Sequence, residues 1–331
     1  MKRKNRIIFP CLFLILGVSF LFASLFGGGY IEPKTVIFYL VHPAKTGIDR
    51  DIIWLIRIPR IILGAVVGGG LSCCGAVFQG LLRNPLAEPY TLGISGGAAL
   101  GVALGFILNI SAIYLPYFAF AGGALSVFLV YFIASKNQFS NATLILAGVI
   151  LSFLFSSLVY LIFSLAKPEN VHGILLWLMG SLSNCQNDLV KMVSIFIISG
   201  IGVTLIFCRE LNIITLGDEK ASYLGVDSTR IKKVLFIIAS CMTGACVAAS
   251  GIIGFVGLIV PHFMRKTVGV NHQHLIPASC FGGAIFLILC DTLARTIIRP
   301  LELPVGVITG VFGGLFFLSI LIISNTRWEI F

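Results

Sequence analysis

Charge is scarce in this sequence. Only 11% of its 331 residues are Asp, Glu, Lys or Arg, and only 13 are acidic, against 58% apolar residues. A soluble domain carries roughly 25% charged residues, so a water-exposed surface cannot be assembled from this composition. Lipid is the solvent that fits, and there every backbone polar group must be satisfied within helices or a closed barrel. Alternating strands of about ten residues are missing too, which excludes a barrel. Nine cysteines are present, but no Cys-x-x-Cys, and most lie inside apolar runs. They are expected to be small buried hydrophobes rather than a disulfide framework. A Gly-x-x-x-x-Gly-Lys-Ser/Thr loop does not occur, so the chain does not cradle ATP in a Walker fashion. Paired intramembrane carboxylates and usefully spaced Ser/His pairs are lacking as well, which argues against a membrane enzyme and leaves no catalytic residue to name. His272-Gln273-His274 is weak as a metal motif, and no metal or cofactor is expected.

What the sequence has is long apolar runs. They fall at residues 7–26, 60–82, 92–109, 114–135, 142–165, 190–208, 233–250, 253–268, 275–298 and 305–324, each near the ~20 residues that cross a bilayer. The fold expected is an all-α integral membrane protein of about ten transmembrane helices, forming a single domain over residues 1–331. The first run follows Lys2, Arg3, Lys4 and Arg6 but is too long for a signal-peptide core and has no clear cleavage site, so it reads as a retained span. The net charge of +10 sits in short stretches between runs, where it speaks of topology and lipid headgroups rather than nucleic acid. With both termini in the cytoplasm, the larger share of Lys and Arg lies inside. The stretch 209–232 is then cytoplasmic and strongly charged, while 27–59 and 166–189 are external, the latter with Trp177 as an interfacial aromatic. The Gly-rich stretch from Gly75 to Leu81 before Pro85 resembles that from Gly251 to Leu258 before Pro261. An offset of five spans makes this an inverted five-plus-five repeat, an arrangement common in transporters.

Small-xxx-small spacings at Gly64/Gly68, Gly97/Gly101, Gly101/Gly105 and Gly310/Gly314 allow close helix packing. Between the second and third spans, Arg83-Asn84-Pro85-Leu86-Ala87-Glu88-Pro89 must break the helix, because two prolines remove donors and disfavour helix before them. That break is either a plain turn or a gate facing a cavity. Arg57-Ile58-Pro59-Arg60 opens the second span from outside, against the positive-inside tendency; the arginines are either snorkelling anchors or a docking site for an acidic partner. Asp291 and Arg295, one turn apart in an apolar span, can neutralise each other.

Five segments, in order, resemble the permease subunits of type II ABC importers for iron–siderophore complexes, haem and cobalamin, the FecCD-type transmembrane permeases. They are Arg57 to Arg60, Gln79 to Ser95, Leu216 to Val226, Gly254 to His262 and Glu302 to Gly306. The resemblance covers nearly the whole chain. It implies a non-enzymatic transport subunit in a bacterial cell (inner) membrane, paired with a second permease copy or a related permease. An ABC ATPase would sit beneath it and an extracytoplasmic solute-binding protein would dock outside. On this resemblance Arg57, Arg60 and Arg295 form the docking patch for the binding protein. Leu216, Gly217, Asp218, Glu219, Ala221, Leu224 and Gly225 belong to the coupling segment that meets the ATPase. Asn84, Pro85 and Leu86, with Asn141, belong to cytoplasmic gates. The expected cargo is a metal chelate, ferric siderophore first, with haem or cobalamin as alternatives and alternating access as the mechanism. A secondary transporter is the rival reading; it would more often carry several intramembrane carboxylates, and Asp291 is nearly alone.

Overall fold

The computed structural model describes residues 2–323, and the described residues contain helices and turns with no strand. The chain begins with α1 (Lys2–Leu25), then two short helices, α2 (Pro33–Val41) and α3 (Ile48–Asp51). A π-helical segment, Ile52–Arg57, leads without interruption into α4 (Ile58–Leu82). The second span is therefore helical from Ile48, not from residue 60. Pro59 has no N–H to give, and the wider π turn just before it absorbs the mismatch within the helix.

After α4 the chain breaks, makes a single 3-10 turn at Pro89–Leu92, and resumes as α5 (Ile94–Ile107). Then follow α6 (Leu115–Ser135), α7 (Asn141–Leu165), the short α8 (Pro168–Leu178) and α9 (Asn187–Ile206). On the side reached by the ends of α4 and α9 lie two short helices, α10 (Cys208–Ile214) and α11 (Asp218–Tyr223). The remainder is α12 (Ser228–Ser250), α13 (Val256–Val268), α14 (His272–Thr296) and α15 (Val305–Ile323).

Among the described residues, seven helices are long and apolar enough to cross a membrane, and Ile94–Ile107 and Val305–Ser319 are shorter apolar ones. With α13, these are the ten segments read from the sequence. The long segments differ in how much of them is covered. The apolar windows of Ile48–Leu82, α12 and α14 are 83%, 72% and 67% buried, against 22% for α1 and α9. Helices α4, α12 and α14 are therefore the centre, and α1 and α9 face outward. Exposed Phe13, Phe153 and Ile195 on the peripheral helices are what a lipid-facing surface requires.

Glycine sets how closely the central helices approach. A Cβ on Gly75 of α4 would collide with the Gly257 carbonyl of α13, and one on Gly68 with the Gly283 carbonyl of α14. Such contact replaces the hydrophobic drive that lipid does not supply between helices. The two halves repeat one device. In each, a long helix (α4 or α12) meets a break (83–93, covered from Ala87 onward, or 251–255) and then a short apolar helix (α5 or α13). Irregular backbone at that depth is tolerated only where protein covers it. The two breaks cover each other: the Tyr90 hydroxyl donates to Ile253 O at 3.0 Å and accepts from Ile253 N at 3.2 Å.

Candidate coupling, gating and docking sites

At the end of the bundle expected to face outside, three arginines expected on the surface are instead buried: Arg57, Arg60 and Arg295 are 3%, 5% and 2% exposed. Arg57 donates to Ser24 O at 2.8 Å and Leu25 O at 3.3 Å, capping the last carbonyls of α1, and to Gly29 O at 2.7 Å. A cation at a helix C-terminus also meets the negative end of the dipole. The run Gly27-Gly28-Gly29 makes this possible, since a Cβ on Gly27 would press on the guanidinium at 2.8 Å. Arg60 grips Asp291 Oδ1 through Nε at 3.0 Å and Nη2 at 2.9 Å, and reaches Glu302 Oε2 through Nη1 at 2.7 Å. Arg295 Nε lies 3.0 Å from Asp291 Oδ2, the i,i+4 pair the sequence suggested. One aspartate thus neutralises arginines from two helices. Burial of Arg60 and Arg295 rests on this carboxylate supply, and that of Arg57 on the carbonyls that end α1; Glu302, 40% exposed, is the one member of the cluster that faces water.

At the opposite end, α4 stops on Arg83, which is left-handed (φ 52°). The break then turns on Asn84, whose Oδ1 accepts the Leu86 N–H at 3.0 Å, an Asx turn before Pro85. Leu86 is left exposed. Further along, the Glu88 carboxylate accepts the Phe255 N–H at the start of α13, satisfying one of the orphan donors of a helix N-terminus. Asn141, first residue of α7, donates through Nδ2 to Leu82 O at 3.0 Å and so ties α7 to the end of α4.

The charged segment joins this cluster through one carboxylate. Asp218, first residue of α11, binds Arg83 Nη2 at 2.7 Å through Oδ2 and Lys232 Nζ at 2.8 Å through Oδ1. Lys232 Nζ also donates to Asn141 Oδ1 at 3.1 Å. A continuous polar chain therefore runs from α11 through Asp218 and Lys232 to Asn141, and through Arg83 to the break at Asn84. Burial pushes the Asp218 carboxyl up, but the Lys232 hydrogen bond and charge, with Arg83 beside them, hold it below the ordinary carboxylate value. Gly217 and Gly225 frame α11 with positive φ of 117° and 76°, which glycine adopts without strain. Ala221 anchors the helix inward, while Leu216, Tyr223 and Leu224 stand exposed.

Four residues of these sites were not singled out by the sequence. Lys232 looked like one more cytoplasmic charge; that it lies a helical turn before apolar Phe236 was the available signal. Glu88 and Tyr90 gave a weaker one, a lone acid and a phenol beside Pro89. Tyr223, in the charged stretch, gave none.

These features define a class: a multi-pass, all-α membrane protein whose centre is two mutually covered breaks. The family model described as the FecCD transport family matches residues 14–323, and the chain belongs to that family. It is 40% identical over 277 residues to the hemin transport system permease protein HmuU of Yersinia pestis, covering 82% of this chain and 83% of that protein. It is 37% identical over 318 residues to the Fe(3+)-citrate import system permease protein YfmE of Bacillus subtilis, covering 93% of each. A solved metal-chelate type ABC transporter in an inward-facing conformation superposes with a TM-score of 0.84 at 30% identity, over 97% of this chain and 99% of that one.

Proposed function

We propose that this chain is the pathway-forming permease of an ATP-driven importer that passes a metal chelate, a ferric siderophore in the first instance, by alternating access. The relatives named for hemin and for ferric citrate share one cargo chemistry, iron enclosed in an organic ligand, and that supports the cargo class. The observation that carries the mechanism is the shared Asp218 carboxylate. Any displacement of α11 pulls on Arg83 and Lys232 together, and through them on Asn84 and Asn141. A separate ATPase pressing on the exposed Leu216, Tyr223 and Leu224, with Gly217, Glu219 and Gly225 as pivot and rim, would move that lever. The gate at Asn84, Pro85, Leu86 and Asn141 would then open in step.

The two termini lie in the cytoplasm in this reading, and a solute-binding protein docks at the opposite end. Arg57, Arg60 and Arg295 serve docking from below the surface, by fixing the outer ends of α1, α4 and α14, with Glu302 as the accessible member. A second permease, identical or related, completes the pathway. In support, a Cβ on Gly310 or Gly314 of α15 would meet nothing within 4 Å, which leaves this spacing unpacked among the described residues.

The test is reconstitution with an ATPase subunit and binding protein in vesicles, following a radiolabelled ferric siderophore, hemin and cobalamin in parallel. ATP-dependent uptake of the siderophore is expected. In Asp218→Ala, uptake should fall at least tenfold while ATP hydrolysis persists. Uptake that continues without the ATPase would replace this reading with a secondary transporter, and uptake of cobalamin or hemin alone would reassign the cargo.

A further inference from the structure

Away from the two ends, the outward surface between α6 and α12 carries a groove of about 370 Å³. Phe120, Phe128 and Tyr131 of α6 line one wall, and Ile237, Ser240 and Gly244 of α12 the other. From Tyr131 to Phe120 the groove follows eleven residues of helix, about 16 Å at 1.5 Å per residue. Half of a ~30 Å hydrocarbon core is about 15 Å, so the groove is one leaflet deep. Past Phe120 a second pocket of about 270 Å³ continues toward the outer end, lined by Tyr117, Met192 and Ala248. The walls are apolar except for the Tyr131 phenol and the Ser240 hydroxyl, the latter buried and without a partner among the described residues.

The end of the groove at Tyr131 and Ile237 is cationic. Lys233 lies one helical turn before Ile237 on α12, and Lys136 follows the last residue of α6. Each ammonium rests on an aromatic ring that packs against the groove. Lys136 Nζ sits 4.4 Å from the centroid of Phe132, which stacks on Phe128. Lys233 Nζ sits 6.0 Å from the centroid of Phe139, which meets Tyr131 edge-on at 5.5 Å. Among the described residues neither lysine has a carboxylate within ion-pair distance. Lys232, their neighbour, is the one committed to Asp218.

We propose that this groove binds one anionic phospholipid, its acyl chain between α6 and α12 and its phosphate between Lys136 and Lys233. A zwitterionic lipid such as phosphatidylcholine would fill the groove equally well and bring a phosphate too, but its choline cation would be repelled by the two ammonium groups and would leave their charge uncompensated. Basic residues at that level each favour anionic lipid appreciably, so discrimination on the order of tenfold is expected from the pair. On the topology proposed above the site lies in the cytoplasmic leaflet; the site itself does not rest on that topology.

The full-length protein, delipidated in neutral detergent, would be titrated with phosphatidylglycerol and with phosphatidylcholine, and bound lipid counted by native mass spectrometry. One phosphatidylglycerol should bind about tenfold more tightly than phosphatidylcholine. K136Q/K233Q should remove the preference and K34Q/K45Q, an equal charge change on the outer segment, should keep it. Ala124→Trp, an exposed groove-wall position, should weaken both lipids. Equal affinities in the unmodified protein would overturn the proposal, as would a preference that survives K136Q/K233Q. So would competition by free glycerol phosphate at the same concentrations, since that would make the site a phosphate site without the chain.

Discussion

Asp291 is held by guanidiniums from α4 and from its own helix, with side-chain exposures of 3% for the carboxylate and 6% and 3% for Arg60 and Arg295. Removing one partner of such a set leaves an uncompensated buried charge, which costs about 3–5 kcal/mol. Asp291→Asn should therefore lower the thermal unfolding midpoint of detergent-purified protein markedly. Glu302→Gln should do so only mildly, because the Glu302 side chain is 40% exposed and water screens it. The reverse order would mean that the cluster is not held by Asp291.

The carboxylate at the other end makes a prediction about pH. Because Asp218 is held below its ordinary value in the fold, its stabilisation is fully present above the unfolded carboxyl value of about 3.9. It is lost as pH falls through the lower folded value. A Tyr223→Trp reporter on α11 should give constant fluorescence from about pH 5 to 8 and change only below about 4. Adding Lys232→Met should move that change to higher pH, since the hydrogen bond and charge that depress the carboxyl are gone. An unshifted midpoint would remove Lys232 from the lever.

Between elements, contact is governed by backbone proximity, and the glycines separate into two kinds. Gly75 sits against the Gly257 carbonyl, whereas a Cβ on Gly202 of α9 would meet nothing within 4 Å. Gly75→Ala should push α4 from α13 and cost about 1–3 kcal/mol as overpacking does. Gly202→Ala should be neutral or stabilising by about 0.5–1 kcal/mol, because it only stiffens a helix. Unfolding midpoints of the two variants would check this. The sequence carried the spans themselves, the breaks at Pro85 and Pro89, and the Asp291–Arg295 pair, because apolar length, proline and i,i+4 spacing act locally. It did not carry the fate of Arg57 and Arg60. Their partners, the Ser24 and Gly29 carbonyls, Asp291 and Glu302, come from α1, the loop after it, and the far end of the chain, and only folding brings them together. For the same reason the seam between residues 88–90 and 253–255 was hidden, although a repeat linking those two regions was visible in their glycine patterns.

For the whole molecule, burial of the outer arginines changes how orientation is argued. Counted from sequence alone, the external segments carried enough Lys and Arg to make the positive-inside bias only moderate. Arg57, Arg60 and Arg295 are now seen to be enclosed, with two carboxylates among them. The basic side chains that remain exposed on that end are fewer, including Lys34, Lys45 and Lys167, while the other end presents Lys136, Arg209, Lys220 and Arg230 to solvent. The bias that acts on topology is therefore stronger than the raw count, and it favours the proposed orientation with α10 and α11 inside. In a cysteine-free background, Ser222→Cys on α11 should react with a membrane-impermeant maleimide in inside-out vesicles and stay unlabelled in right-side-out ones. Lys167→Cys, between α7 and α8, should show the opposite pattern. Labelling of Ser222→Cys from outside would put the Asp218 lever beyond the reach of any cytoplasmic ATPase, and the importer mechanism could not operate through it.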